Sequence, residues 1–280
     1  MRSVAIVGAG ELGGTIAHAL ARRDVVRAIT IVDDAGRVAS GKALDLTQAA
    51  PIEGFATELT GSTDLSSVAG AAVVVVADRA AGGVWQGEDA LMLLQRLTQF
   101  AAPAVIVWAG AAARDVVDRG VRELKIPRTR LFSSAPEALA GGVRALVALA
   151  VDGSPRDVAL AVLGVPPQHI VIAWEDATIG GFSLTRLMNE TVRRRLSAKI
   201  PALWPPGPHA LAAAAVKAIE SMATGHRQMI SCFVAPDVTA GVHTRTAALP
   251  VLLAGNGIRD VVIPELSAGE RVALGNAMET

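Results

Sequence analysis

Along the first half of the chain, short apolar runs rich in β-branched residues alternate with amphipathic stretches of helical length. Strands are expected over 3–7, 28–33, 55–60, 73–77, 103–108 and 130–133, and helices over 11–23, 36–49, 88–100 and 112–124. The run 73–77 shows no polar alternation, so both of its faces should be covered, as in a parallel sheet flanked by helices on either side. Regular strand–helix alternation of this kind is the signature of βαβ units wound into a doubly wound sheet.

After about residue 145 the pattern changes. Residues 158–163 and 170–174 are strand-like and separated by Pro166 and Pro167, which neither a helix interior nor a central strand tolerates. Helices are expected over 183–199 and 209–222, with Pro201, Pro205, Pro206 and Pro208 breaking the chain between them. Strands follow over 229–235, 241–246, 248–253 and 261–263, and a helix over 268–278 closes the chain. The expected fold is therefore α/β: a Rossmann doubly wound parallel sheet over residues 1–145, with a C-terminal α+β domain over residues 146–280 laid on it.

Composition narrows the function classes. The 26 basic and 26 acidic side chains cancel, so nothing in the net charge points to nucleic acid or an anionic membrane surface. Apolar runs are too short to span a bilayer, and no charged leader precedes the first strand, so neither membrane insertion nor export is expected. The single cysteine, Cys232, fits a reducing, cytoplasmic setting and a buried thiol. No closely spaced histidines or cysteines suggest a metal site.

The strongest chemical signal is Gly8, Gly10 and Gly13, a GxGxxG at the end of an expected strand and the start of an expected helix. Gly8 permits the tight turn, Gly10 lets the main chain approach a pyrophosphate, and Gly13 brings helix and strand together. Glu11 and Leu12 open the helix, whose free N–H groups and partial positive charge suit phosphate. Asp33 closes the second strand, about 20 residues further on, where a carboxylate binds ribose hydroxyls and repels a 2′-phosphate. The expected cofactor is NAD, bound by Gly8, Gly10, Glu11, Leu12, Gly13 and Asp33.

These residues, GAGELGGTIAHAL over 8–20, IVDD over 31–34 and GKALDL over 41–46, resemble the lactate and malate dehydrogenase family. PIEGF over 51–55, TGSTD over 60–64, ATIGGFSL over 177–184 and PVLLAGNGI over 250–258 continue the likeness in the family's order. The resemblance implies NAD-dependent interconversion of 2-hydroxy and 2-keto acids, and homodimers or homotetramers formed through helices of the first half. It also implies a proton-donating histidine, an aspartate that orients it, two arginines on the substrate and an assisting asparagine.

Carried over by position, that set is missing. The histidine turn reads Gly164, Val165, Pro166, Pro167, Gln168, with His169 displaced along the chain. The lid after Val76 carries only Arg79, standing too early and replacing a glycine where the dinucleotide passes, so it could block the cofactor. The asparagine falls on Ala109, and the aspartate and arginine of the next helix fall on Ala138 and Gly141, with Glu137 alongside. The expectation is an NAD-binding pseudoenzyme with no catalytic residue assigned. The alternative is an oxidoreductase acting on a CH–OH group of a substrate without a carboxylate, with His169 or Glu137 as acid–base group. Trp85 in the lid is expected to plug the emptied substrate pocket, and His18 to lie at a packing surface.

Overall fold

The computed structural model describes residues 1–237, 239, 241 and 243–280. In chain order its first half runs β1 (Ser3–Val7), α1 (Glu11–Arg23), β2 (Ala28–Val32), α2 (Gly36–Glu53), β3 (Glu58–Ser62), β4 (Val73–Val76), α3 (Gly87–Phe100), β5 (Val105–Trp108), α4 (Arg114–Arg122) and β6 (Leu131–Ser133). The helix α5 (Ala135–Ala150) leads into the second half. There follow β7 (Val158–Ala159), β8 (Val162–Val165), β9 (His169–Ile172), β10 (Thr178–Ile179), β11 (Phe182–Ser183), α6 (Leu184–Leu187), α7 (Glu190–Ser197), α8 (Pro208–Thr224), β12 (Ile230–Val234), β13 (Ala247–Ala254), β14 (Gly257–Val261) and α9 (Ala268–Glu279).

The strands β3-β2-β1-β4-β5-β6 pair in parallel, which is the Rossmann order, and the sheet continues through antiparallel β12, β13, β8 and β9. All four residues of β4 are fully buried, as the unbroken apolar run requires. Their side chains alternate between two cores. Val73 and Val75 join the layer of α1, α2 and α8, whereas Val74 and Val76 join the layer of α3 and α4. Leu12, Ile16 and Leu20 on α1 share their cluster with Leu211, Ala215 and Ile219 on α8, so the second half clamps the first helix of the Rossmann unit.

Differences from the pattern have local causes. Helix α2 runs through Pro51 and stops at Gly54, whose φ of 78° reverses the chain. The expected helix over 183–199 breaks before Asn189, whose side chain accepts from the Val192 N–H at 3.0 Å and starts α7 afresh. In the expected strand over 241–246, Val242 lies outside the described residues, and Thr246 spends its N–H on the Asp118 carboxylate and its carbonyl on Arg114 instead of on a ladder. The expected strand over 261–263 falls earlier, because Ala254 and Gly257 pair across a tight hairpin that fixes β14. Among the described residues no helix is long and apolar enough to cross a membrane.

Candidate cofactor groove and neighbouring chamber

The turn from β1 into α1 sets the cofactor groove. Gly8 sits at φ 111°, a region that side chains disfavour, and an added Cβ on Gly13 would overlap the Gly8 carbonyl. Helix α1 therefore starts close against the strand, and the N–H groups of its first turn point into the groove with no helical acceptor of their own. These donors already have a partner. The Asp78 carboxylate, one residue beyond the buried Ala77 at the end of β4, accepts from Leu12 N at 3.2 Å and from Gly13 N at 3.0 Å. Its backbone carbonyl accepts from Gly10 N at 3.0 Å, and a Cβ on Gly10 would run into its carboxyl group. Lys42 on α2 borders the same turn, donating to the Gly10 carbonyl at 2.8 Å.

Asp33 is also engaged from within the chain. One carboxylate oxygen accepts from Ala9 N at 2.7 Å and Ala80 N at 2.9 Å, the other from Ala35 N at 2.9 Å. Burial works against its ionisation, yet the three main-chain donors and Asp34 outweigh it and hold the carboxyl below the usual aspartate range. The adenosine end of the groove is a cleft of about 130 Å³ between Asp33, Asp34, Thr63, Leu65 and Arg96, narrowed by Arg79 and Trp85. The Arg79 guanidinium stacks 3.6 Å from the Trp85 ring centroid and reaches Asp89 at 3.5 Å. Trp85 was expected to plug the emptied substrate pocket; it lies instead in this cleft beside Asp33 and does not line the Pro166 cavity. A cleft of this size is below the ~300 Å³ from which small-molecule sites begin. With the lid in this position the groove does not fit a dinucleotide.

A second cavity lies on the other side of the lid. About 370 Å³ in volume, it is bordered by Gln86 and Gly87 at the end of the lid, Ala111 after β5, Pro166 in the β8–β9 turn, Trp204 and Phe233. Trp204 meets Phe233 edge-on at 6.0 Å and packs against three of the hydrophobic clusters. Arg114 reaches the cavity, but its Nε is bound to the Thr246 carbonyl at 2.7 Å. No imidazole joins it among the described residues. His169 is exposed on β9, paired across the hairpin with Val165.

Ala138 and Gly141, where the resemblance led one to expect an aspartate and an arginine, face a separate cavity of about 210 Å³ between α5 and α8. Glu137 beside them is only 3 % exposed and fully committed: it accepts from Lys217 Nζ at 2.7 Å, Arg144 Nη2 at 2.8 Å and Ser231 N at 3.0 Å. It ties α5 to α8 and β12 and does not face the Pro166 cavity. Cys232 next to it is buried, and desolvation together with the Glu137 carboxylate pushes its thiol far up, out of reach of thiolate chemistry. His18 is bound to Glu53 at 3.0 Å on the surface between α1 and α2. Among the described residues no three acidic, histidine or cysteine side chains gather to hold a metal ion.

Residues 2–96 match the lactate/malate dehydrogenase NAD-binding domain. A malate dehydrogenase of Thermomicrobium roseum is 27% identical over 98% of this chain and 94% of its own length. About a third of the chain thus matches a lactate/malate dehydrogenase family model, and nearly its whole length is similar to a protein of that name. An L-lactate dehydrogenase of Geotalea daltonii is 28% identical over 98% of the chain and 95% of its own. The fold agrees with the malate dehydrogenase of Salinibacter ruber at a TM-score of 0.87 and 22% identity, covering 98% of this chain and 93% of that one. A lactate dehydrogenase from Cryptosporidium parvum, crystallised with lactic acid and β-nicotinamide adenine dinucleotide, gives a TM-score of 0.87 at 19% identity over 99% and 94%. NAD is the cofactor for which this family's first domain is built.

The sequence reading selected the main-chain side of the groove, Gly8, Gly10, Glu11, Leu12, Gly13 and Asp33, but overlooked Asp78 and Lys42. An acidic residue two places after the last valine of an apolar strand that ends at the cofactor turn was the available signal.

Proposed function

We propose that this protein is a lactate/malate dehydrogenase-family member that retains a dinucleotide-binding fold and does not carry out the family's keto acid reduction at enzymatic rates. The observation that carries the reading is the lining of the Pro166 cavity, which holds one arginine, Arg114, with its Nε on a backbone carbonyl and Arg245 near enough to disfavour its charge, and no histidine among the described residues. General acid–base assistance is worth roughly 10²–10⁴ in rate, and a cavity with no imidazole in its described lining forgoes the family's proton donor. Gly8, Gly10, Glu11, Leu12, Gly13 and Asp33 are the residues proposed to receive NAD, within a Rossmann domain over 1–145 followed by an α+β domain over 146–280.

Assembly is proposed through α2, which buries only Ala39 and Ala43 and leaves Val38, Leu44 and Ile52 exposed at 40%, 60% and 88%. A helix with so little buried surface and such apolar exposure favours a homodimer or homotetramer.

The test is turnover of NADH with oxaloacetate and pyruvate, followed at the nicotinamide absorbance band, alongside a panel of alcohols and aldehydes. No keto acid turnover is expected. Turnover of a keto acid at ordinary enzyme rates would overturn the reading, and turnover of an alcohol or aldehyde alone would replace the pseudoenzyme with an oxidoreductase of different substrate class.

A further inference from the structure

We propose that the lid over residues 77–87 is a built-in occupant of the cofactor groove: the Asp78 carboxylate sits in the diphosphate seat, Ala80 covers the ribose carboxylate, and Trp85 closes the adenosine cleft. This rests on the reading of the groove as an NAD site and adds the residues that decide whether NAD enters.

Three independent contacts carry it. First, the helix N–H groups that would meet a phosphate are bonded to the Asp78 carboxylate, and the space left by the missing Cβ of Gly10 is filled by that same carboxyl group. An anion at a helix N-terminus is the interaction phosphate would make, so carboxylate and diphosphate compete for one seat and repel when brought together. Second, the Ala80 N–H lies 2.9 Å from the Asp33 oxygen that also accepts from Ala9, which brings the lid's main chain over the site of the ribose hydroxyls. Third, Trp85 and Arg79 stack within the adenosine cleft, leaving about 130 Å³.

The same loop is built to leave. Trp85 Nε1 and Arg79 Nε are buried without a hydrogen-bond partner, a desolvation cost that is relieved when the lid opens or when acceptors arrive. Gly82, Gly83 and Gly87 take φ of 85°, 92° and 53° with nothing near their missing side chains, which gives the segment flexible joints on either side of Trp85. Cofactor affinity then equals the intrinsic affinity reduced by the fraction of molecules with the lid displaced.

The experiment is calorimetric titration of NADH into the wild type, D78A and W85A, with thermal melting of the same proteins in inorganic pyrophosphate. D78A is expected to bind NADH at least tenfold more tightly than the wild type, and W85A several-fold more tightly. Pyrophosphate is expected to raise the melting temperature of D78A, by refilling the vacated seat, and to leave the wild type unmoved. D78S, which removes the charge and shortens the side chain so that the seat is vacated, carries the same expectations should the alanine variant not fold. Equal NADH affinity in wild type and variants overturns the proposal while leaving NAD binding intact. Stabilisation of D78A by pyrophosphate without NADH binding by any of the proteins supports the lid's role and removes the NAD reading. Pyrophosphate stabilising both proteins equally, or neither, overturns the lid's role.

Discussion

At the β1–α1 turn the main-chain donors of the first helical turn face a groove and are met by Asp78, whereas the cavity beside Pro166 is lined among the described residues by Gln86, Arg114, Asp115 and apolar groups with no histidine. The two regions differ in what their chemistry would rest on. In the groove one acidic side chain, Asp78, has entered a seat that the backbone still provides, so a single substitution should reopen it. On the proposed reading the chamber's functions were spread over separate elements, and Pro166 on the one hand and Ala138 and Gly141 on the other face two different cavities. Main-chain chemistry survives sequence change as long as the turn survives, while side-chain chemistry vanishes with each residue. Similarity to proteins named malate and lactate dehydrogenase fixes the fold, while the proposed loss of their reaction stands or falls with the turnover assay.

The largest effect that separates the two regions is expected at Glu137, which lies beside the lost aspartate position but serves packing. Glu137→Ala leaves Lys217, Arg144 and the Ser231 N–H without their shared acceptor in a buried place. Breaking one side of a buried ionic network costs about 3–5 kcal/mol, and Glu137→Gln, which keeps an acceptor, should cost less. Urea unfolding midpoints measure both. A near-neutral Glu137→Ala would mean the carboxylate is held for some purpose other than stability and would reopen its candidacy as an acid–base group.

On the groove side the next effect belongs to Asp33. Hydrogen bonds to a charged group are worth roughly 1.5–3 kcal/mol, so Asp33→Asn, which loses the charge and turns an NH₂ toward main-chain donors, should destabilise by about that amount. The pH dependence has a defined sign. Because the folded carboxyl titrates below the unfolded one, the unfolded chain takes up its proton first as pH falls. The stabilisation is complete above the ordinary aspartate value of ~3.9 and drains away as pH drops from there through the folded value. Asp33→Asn should flatten that acid limb relative to wild type. An unchanged limb would show that the main-chain donors are not what holds this carboxylate ionised.

How far these features could be read from the chain alone follows the same division. The parallel half was legible to within a few residues, since β1, α1, β2 and β4 are fixed by runs such as VVVV and by the glycines that end them. Elements fixed by side-chain capping or by long-range bonds were harder. Asn189 restarting a helix, and Asp118 and Arg114 drawing Thr246 out of a strand, depend on partners that periodicity does not reveal. The groove's main-chain residues were readable because GxGxxG has one geometric meaning after a strand. Asp78 was not, because only the fold brings it against Leu12 and Gly13, some 65 residues away in the chain. That Pro166 and the pair Ala138 and Gly141 face two different cavities was not readable either, because only the fold sets α5 against α8.

A smaller and sharper test of the groove uses coupling between Gly10 and Asp78. A Cβ on Gly10 would collide with the Asp78 carboxyl, so Gly10→Ala must push that carboxylate off the helix N-terminus. The expected cost is about 1–2 kcal/mol in the wild type and much less in a D78A background, because neighbouring residues sharing one contact show interaction energies of roughly 0.5–3 kcal/mol. Additive costs in the double-mutant cycle, measured by denaturant unfolding, would mean that Asp78 does not fill the space Gly10 leaves.

The smallest effect is expected at His169, and its smallness is the point. The imidazole is exposed, lies on the hairpin strand β9 and does not reach the Pro166 cavity, so its replacement removes no buried contact. His169→Ala should change stability by no more than about 0.5 kcal/mol, as is usual for surface positions without special features. NADH affinity should also be unchanged, because the diphosphate seat is built from α1 and the lid, far along the sheet from β9. Any residual turnover found in the wild type should persist in this variant. Its disappearance would instead require the β8–β9 turn to swing and deliver the imidazole into the chamber, which would restore a proton donor to the side of the molecule that lacks one and erase the contrast between the two regions.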